Sequence, residues 1–230
     1  MTQPDGFQCP GKKDYVCKLK KSLYGVKVVS KAVNLLSAEF DIKDLGAAQK
    51  ILGMEIYRDR DKNKLFLSHK GYIQKILSRF GMSSAKPIDT SSAVNACFSS
   101  VLSPQSEAEK EYMSRVPYAS VVRSLMYAMV CTRPDLAHVV SVVSGFMGQP
   151  GKKHWQAVKK IFHYLRGMSD VGLVYGNYTE CLVTGYSDSD YVGDVNSRRS
   201  MTGYVFTLGG SIVSWKATLH PTVTLSTTEA

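Results

Sequence analysis

The 230-residue chain is 44% hydrophobic and 21% charged, the balance of a polypeptide that folds around a core and not of a disordered one. A formal net charge of +10 favours a polyanionic partner. No apolar run reaches membrane-span length and Met1-Thr2-Gln3-Pro4-Asp5-Gly6 is not a signal peptide, so no membrane partner is expected. The five cysteines (Cys9, Cys17, Cys97, Cys131, Cys181) are scattered and odd in number, which predicts reduced thiols in an intracellular protein, cytoplasmic or nuclear.

Taken in order, Tyr15-Val16-Cys17-Lys18-Leu19 alternates like a strand. Leu52, Met54 and Ile56 alternate, Arg58 to Asn63 forms a charged turn, and Lys64-Leu65-Phe66-Leu67 returns, predicting a hairpin. Over 70–81 the apolar residues Tyr72, Ile73, Ile76, Leu77 and Phe80 have helical spacing, and Gly81 suits the position just past the helix end. Ala85 to Ser106 is Ser-rich and aperiodic, with Pro87 and Pro104, and reads as a linker or long loop. Three helices should follow: Tyr118 to Val130, Pro134 to Met147 with proline at its first position, and His154 to Arg166. Further on, Leu182, Thr184, Tyr186 and Asp188 share one face of a strand. A second strand, Thr202 to Leu208, should meet a third, Ser211 to Lys216, through the turn Gly209-Gly210, where both residues tolerate positive φ. Ser226 and Glu229 have capping-box spacing and should open a helix.

Several residues carry both a chemical and a plain reading. Asp188 suits a ligand for divalent ions, and equally a solvated aspartate at a strand end. Asp190 and Asp194 suit turn chemistry around Gly193. Lys152, Lys159, His163 and Arg166 recur at spacings that keep them on one helix face, opposite Trp155 and Phe162. That face would contact phosphates, or it is simply the solvated side of an amphipathic helix, and Arg198-Arg199 carries the same ambiguity. The five histidines have no Cys or His partners at zinc spacing. Neither a phosphate-binding glycine loop nor a Gly-x-Ser-x-Gly elbow is present, so no small-molecule cofactor is expected.

Long ordered stretches resemble the Pol polyprotein of copia-type LTR retrotransposons. Gly185-Tyr186-Ser187-Asp188-Ser189-Asp190-Tyr191-Val192-Gly193-Asp194, Arg198 to Phe206 and Leu225-Ser226-Thr227-Thr228-Glu229-Ala230 resemble its RNase H domain. Ser124-Leu125-Met126-Tyr127, Thr132-Arg133-Pro134-Asp135 and His154-Trp155 with Ala157-Val158 resemble its connection region. Val16 to Gly25, and Leu45-Gly46 with Ile51-Leu52-Gly53-Met54-Glu55-Ile56 and the 70–81 helix, resemble the end of its reverse transcriptase. The resemblance implies an α+β fold: a palm and thumb remnant over 1–84, a linker over 85–117, a helical connection over 118–167, and the first half of an RNase H-like mixed sheet over 168–230. It implies Mg²⁺ as the metal, Asp188 as a catalytic metal ligand, and an RNA–DNA hybrid or template-primer as partner.

The chain also departs from that family. The run from Ala32 to Gly46 lies well downstream of the Tyr-Gly motif in the family, yet only a few residues after Tyr24-Gly25 here. The palm segment that carries the polymerase Asp-Asp pair should stand between them, and the sequence contains no Asp-Asp dipeptide. In the family the metal-binding glutamate best matches a position just after Ala230. The expectation is therefore an internally deleted, truncated fragment that neither polymerises DNA nor cleaves hybrid RNA and holds no Mg²⁺ stably. The alternative is a passive, sequence-independent nucleic-acid-binding module.

Overall fold

A computed structural model describes residues 38–40, 47–89, 99–176, 182–194 and 196–228. The chain divides into two units, Met1–Ala47 and Ala48–Ala230. The strand expected at Tyr15–Leu19, the run from Ala32 to Ser37, Cys181 and Glu229 lie outside the described residues. The second unit is described below.

It begins with strands β1 (Lys50–Ile51), β2 (Met54–Asp59) and β3 (Lys64–Ser68), the hairpin read from the alternation. Leu52 and Gly53 both take positive φ between β1 and β2, and Asn63 does so in the charged turn. Helix α1 (Lys70–Arg79) follows, with Ile73, Ile76 and Leu77 buried as the apolar spacing requires. Its end is closed by Gly81 at φ +69. The Gly81 amide donates to the Ser78 carbonyl at 3.1 Å, and the Met82 amide to the Leu77 carbonyl at 2.7 Å. This double closure satisfies two carbonyls that the helix leaves without partners, and it needs the left-handed residue that glycine supplies.

The segment expected to be a linker contains a helix, α2 (Glu107–Ser114). Ser106 caps it, its side chain accepting from the Glu109 amide at 3.2 Å. Helix α3 (Tyr118–Thr132) and helix α5 (Lys152–Gly167) run slightly longer than predicted. Between them, Pro134 opens a 3₁₀ turn (Pro134–Leu136) and not the α-helix itself; α4 is confined to Ala137–Ser144.

Sixteen buried residues form the main apolar cluster, contributed by α1, α3, the 3₁₀ turn, α4 and α5; none lies on a strand. Fully burying a side chain such as Leu125, Ile161 or Phe162 stabilises by about 1.5–3 kcal/mol. The helices therefore hold this unit together, and the sheets are built onto them.

The first sheet has the order β1-β2-β3-β4, antiparallel throughout, where β4 (Gly172–Gly176) follows α5. Residues 168–230 were expected to form a separate segment from 1–84, yet β4 completes the sheet begun by β2 and β3, with Ser68 opposite Gly172 and Lys64 opposite Gly176. The approach is close. A Cβ at Gly172 would lie 2.2 Å from the Leu67 carbonyl oxygen.

The second sheet has the order β5-β6-β7, comprising Val183–Asp194, Arg199–Leu208 and Ser211–Leu219. Gly209 and Gly210 have φ of +54 and +78, the two positive values that a two-residue hairpin turn demands. Strand β7 packs on α4 and β4. Trp215 ties it to α3, its indole Nε1 donating to the Met129 carbonyl at 3.1 Å. Through Thr228 the chain after β7 holds turns; no helix has opened at Ser226, and Glu229 lies beyond the described residues. The outcome is an α+β architecture of mixed helix and sheet.

Candidate functional site

Asp188 stands near the middle of β5, directly opposite Gly203 of β6, and is exposed. Alternation puts it on the face that holds Tyr186, Val205 and Trp215, the side on which Trp215 reaches α3. One of its oxygens accepts from the Ser189 amide at 3.0 Å.

The two later aspartates are occupied locally. The ladder is interrupted between Asp190 and Asp194, where Val192 takes φ +54. There the Asp190 carboxylate folds over Gly193, and a Cβ on that glycine would meet it at 2.9 Å. Asp194 accepts from the Asn196 and Ser197 amides and from the Ser197 hydroxyl, which holds the turn into β6. Asp194 therefore performs the turn chemistry expected of it, and Asp190 lies beside Gly193.

A pair of hard divalent ions needs several carboxylate oxygens at once. Among the described residues no group of three or more His, Cys, Asp or Glu could hold a metal ion. One exposed carboxylate, already accepting a backbone hydrogen bond, does not fit a two-Mg²⁺ centre.

Three of the four cationic positions on α5 have neighbours within the protein, though Lys152 stays exposed. Lys152 lies 3.8 Å from Glu109 and over the ring of Tyr112. Lys159 lies over the ring of Trp155, the residue it was expected to oppose. His163 donates from Nδ1 to the Lys86 carbonyl at 2.7 Å. Arg166 is exposed, as are Arg198 in the turn before β6 and Arg199 at the first position of β6.

Two buried polar clusters escaped the reading of the sequence. Arg133 is 0% exposed. Its guanidinium grips both Asp135 oxygens, at 2.6 to 3.2 Å, and donates to the Met168 carbonyl at 2.8 Å. Tyr164 donates its hydroxyl to the same carboxylate at 2.8 Å. Burial alone would raise the Asp135 carboxyl; the Arg133 hydrogen bonds and charge, with Tyr164, outweigh it and hold the group below the usual range. The signal was Arg133-Pro134-Asp135 itself, since a charged pair across a helix-starting proline can fold back on itself.

The second cluster surrounds His69, also 0% exposed, at the start of α1. Its ring stacks on Tyr72 at 4.7 Å and leans on Tyr127 at 5.5 Å. Tyr127 in turn donates to the Leu52 carbonyl at 2.7 Å. Burial lowers the His69 pKa, with the Leu52 backbone and Glu55 pulling weakly the other way. This is a packing centre that pins the β1–β2 turn to two helices.

No protein-family model matches the chain, and no solved structure does. Among known proteins it is similar to the retrovirus-related Pol polyprotein from transposon TNT 1-94 of Nicotiana tabacum, at 42% identity over 286 residues, taking in 100% of this chain and 22% of that polyprotein. It is 48% identical to the secreted RxLR effector protein 161 of Plasmopara viticola over 117 residues, 51% of this chain and 82% of that protein. It is 32% identical to an uncharacterized mitochondrial protein of Arabidopsis thaliana over 194 residues, 84% of this chain and 77% of that protein. The chain thus spans about a fifth of the polyprotein it matches end to end. That alignment covers 286 positions against 230 residues here, so 56 of its positions have no residue of this chain.

Proposed function

Because the chain belongs to the Pol polyproteins of copia-type retrotransposons, we propose that it is a non-catalytic derivative of one, with 1–84 from the end of the reverse transcriptase, 118–167 from the connection and 168–230 from the first half of RNase H. The observation that carries this is Asp188, an exposed carboxylate that belongs to no group of three or more potential metal ligands among the described residues. Mg²⁺ would supply charge stabilisation and an activated water in an intact site, where Asp188 would be one of its ligands.

The missing polymerase pair supports the same reading. The sequence has no Asp-Asp dipeptide, and the unfilled alignment positions leave room for the deletion expected at Lys27–Lys31. Primer-extension and hybrid-cleavage assays on the 230-residue chain with Mg²⁺ or Mn²⁺ test it. No turnover is the expected result. Turnover that vanishes in Asp188→Asn overturns the proposal.

A second reading is favoured by the exposure of Arg166, Arg198 and Arg199 on a chain of net charge +10: passive, sequence-independent binding of an RNA–DNA hybrid through phosphates. It predicts filter binding that weakens steeply with salt and is reduced when these three arginines are replaced by glutamine. Absence of binding at low salt removes it.

A further inference from the structure

Strand β5 is a terminal strand of its sheet, and among the described residues no strand pairs with its second edge. The Gly209 amide donates to the Leu182 carbonyl at 2.9 Å, which fixes the phase of the ladder. Antiparallel pairing alternates residues that exchange both backbone bonds with residues that exchange neither. Thr184, Tyr186 and Asp188 therefore aim their N–H and C=O groups at β6, while Val183, Gly185, Ser187 and Ser189 aim theirs away from it. The Ser189 amide is already taken by the Asp188 carboxylate at 3.0 Å, and the ladder is interrupted past Asp190. The usable edge is thus an unbroken run from Val183 to Ser187.

That run is apolar as well as unpaired. Val183 and Tyr186 are each 64% exposed, and Leu182 just before them is 63% exposed. The Phe206 ring lies over Gly185, where a Cβ would meet it at 2.6 Å. Phe206 shares the Val183 face, so the glycine lets an exposed aromatic ring reach the edge of the sheet. Proteins blunt an edge of this kind with lysine, proline or a bulge. Neither lysine nor proline occurs between Leu182 and Ser187.

We propose that this edge is a self-association site, where β5 of a second copy pairs antiparallel with β5 and joins the two three-stranded sheets into one. The strand is complementary to itself in one register. Placing Gly185 opposite itself pairs Val183 with Ser187 and Ser187 with Val183, so every outward N–H and C=O group of the run finds a partner. On the other face Tyr186 then stands across from Thr184, at a non-hydrogen-bonded position where side chains approach most closely. Asp188 stands across from Leu182, and the two Asp188 residues lie about 20 Å apart along the strands. A shift toward Asp188 would call on the Ser189 amide, which is occupied, and centring on Asp188 would set like charges face to face. A second copy also brings its own Phe206 ring to the same face beside the central glycine pair, which an arbitrary extended peptide would not. The edge is separate from the exposed arginines invoked for hybrid binding, and the proposal does not rest on that reading.

The test is sedimentation equilibrium of the full chain over a concentration series, with amide exchange read at its two ends. A monomer–dimer equilibrium is expected, with no larger species, because two-fold pairing uses up the edge on both copies. The Val183, Gly185 and Ser187 amides should exchange more slowly as the dimer forms, while those of Thr184 and Tyr186, already bonded to β6, should change little. Ser187→Pro removes an outward donor without touching the β6 ladder. It should weaken the dimer about tenfold or more, the worth of one lost hydrogen bond on each copy. Val183→Lys charges the edge and should weaken the dimer independently. Val130→Lys charges an exposed apolar site on α3 and should leave the dimer intact. A near-UV spectrum like the parent's shows that each variant keeps its fold. A monomer at every concentration, assembly beyond two copies, or a dimer that survives both edge substitutions overturns the proposal.

Discussion

Arg133 and Asp135 close on each other across Pro134, the guanidinium reaching both carboxylate oxygens at 2.6 to 3.2 Å while remaining 0% exposed. The pair sits where α3 gives way to the 3₁₀ turn, and its Met168 bond reaches the end of α5. Removing the carboxylate would leave a buried cation without its counter-charge. Asp135→Asn should therefore destabilise by about 3–5 kcal/mol, read as a lower midpoint in urea denaturation. Because the Asp135 carboxyl is held below its ordinary value, its contribution is present above the unfolded pKa and lost as pH falls through the folded one. The parent should lose stability through the acid range, and Asp135→Asn should show a shallower loss.

His69 gives a pH dependence nearer neutrality. Its folded pKa lies below the unfolded value, chiefly because burial disfavours the charged ring. Below about pH 6.5 the unfolded chain therefore binds the proton more readily than the folded one, and stability must fall as pH drops through that point. Urea midpoints measured between about pH 7.5 and pH 5.5 should decline in the parent. His69→Phe keeps a ring against Tyr72 and removes the proton site, so its decline over the same window should be smaller.

Gly172 tests whether β4 belongs to the first sheet. A Cβ there would meet the Leu67 carbonyl at 2.2 Å, and neither backbone can move without breaking the ladder. Gly172→Ala should cost about 1–3 kcal/mol. Amide exchange should quicken at Lys64 to Ser68 as well as at Gly172 to Gly176. Gly210→Ala, at a turn with open space but φ +78, should instead cost about 1 kcal/mol through backbone strain alone.

Much of this architecture was legible from local pattern. The helix over 70–81 showed itself through Ile73, Ile76 and Leu77, and Gly81 marked its end because only a left-handed residue completes that closure. Gly209-Gly210 announced its hairpin for the same stereochemical reason. Helix α2 was also signalled, by Ser106 and Glu109 at capping-box spacing, but the serine and proline content of the preceding stretch masked it. Strand β4 could not have been read locally: Gly172-Leu173-Val174-Tyr175-Gly176 is short, and its partner lies about a hundred residues earlier. The spacing of Lys152, Lys159 and His163 was read correctly as helical; Trp155, one turn before Lys159, was a local neighbour overlooked, whereas Glu109 and the Lys86 carbonyl are brought to Lys152 and His163 by tertiary structure. Asp188 stands on the predicted strand; what its surroundings lack is a property of three dimensions that no motif states.

A non-catalytic chain must fail to gather divalent cations around Asp188. Titration of the 230-residue chain with Mn²⁺, followed by loss of the free-ion electron paramagnetic resonance signal, measures that directly. Only weak, salt-sensitive uptake that Asp188→Asn leaves unchanged is expected. Two ions held tightly per chain and released by that substitution would contradict it.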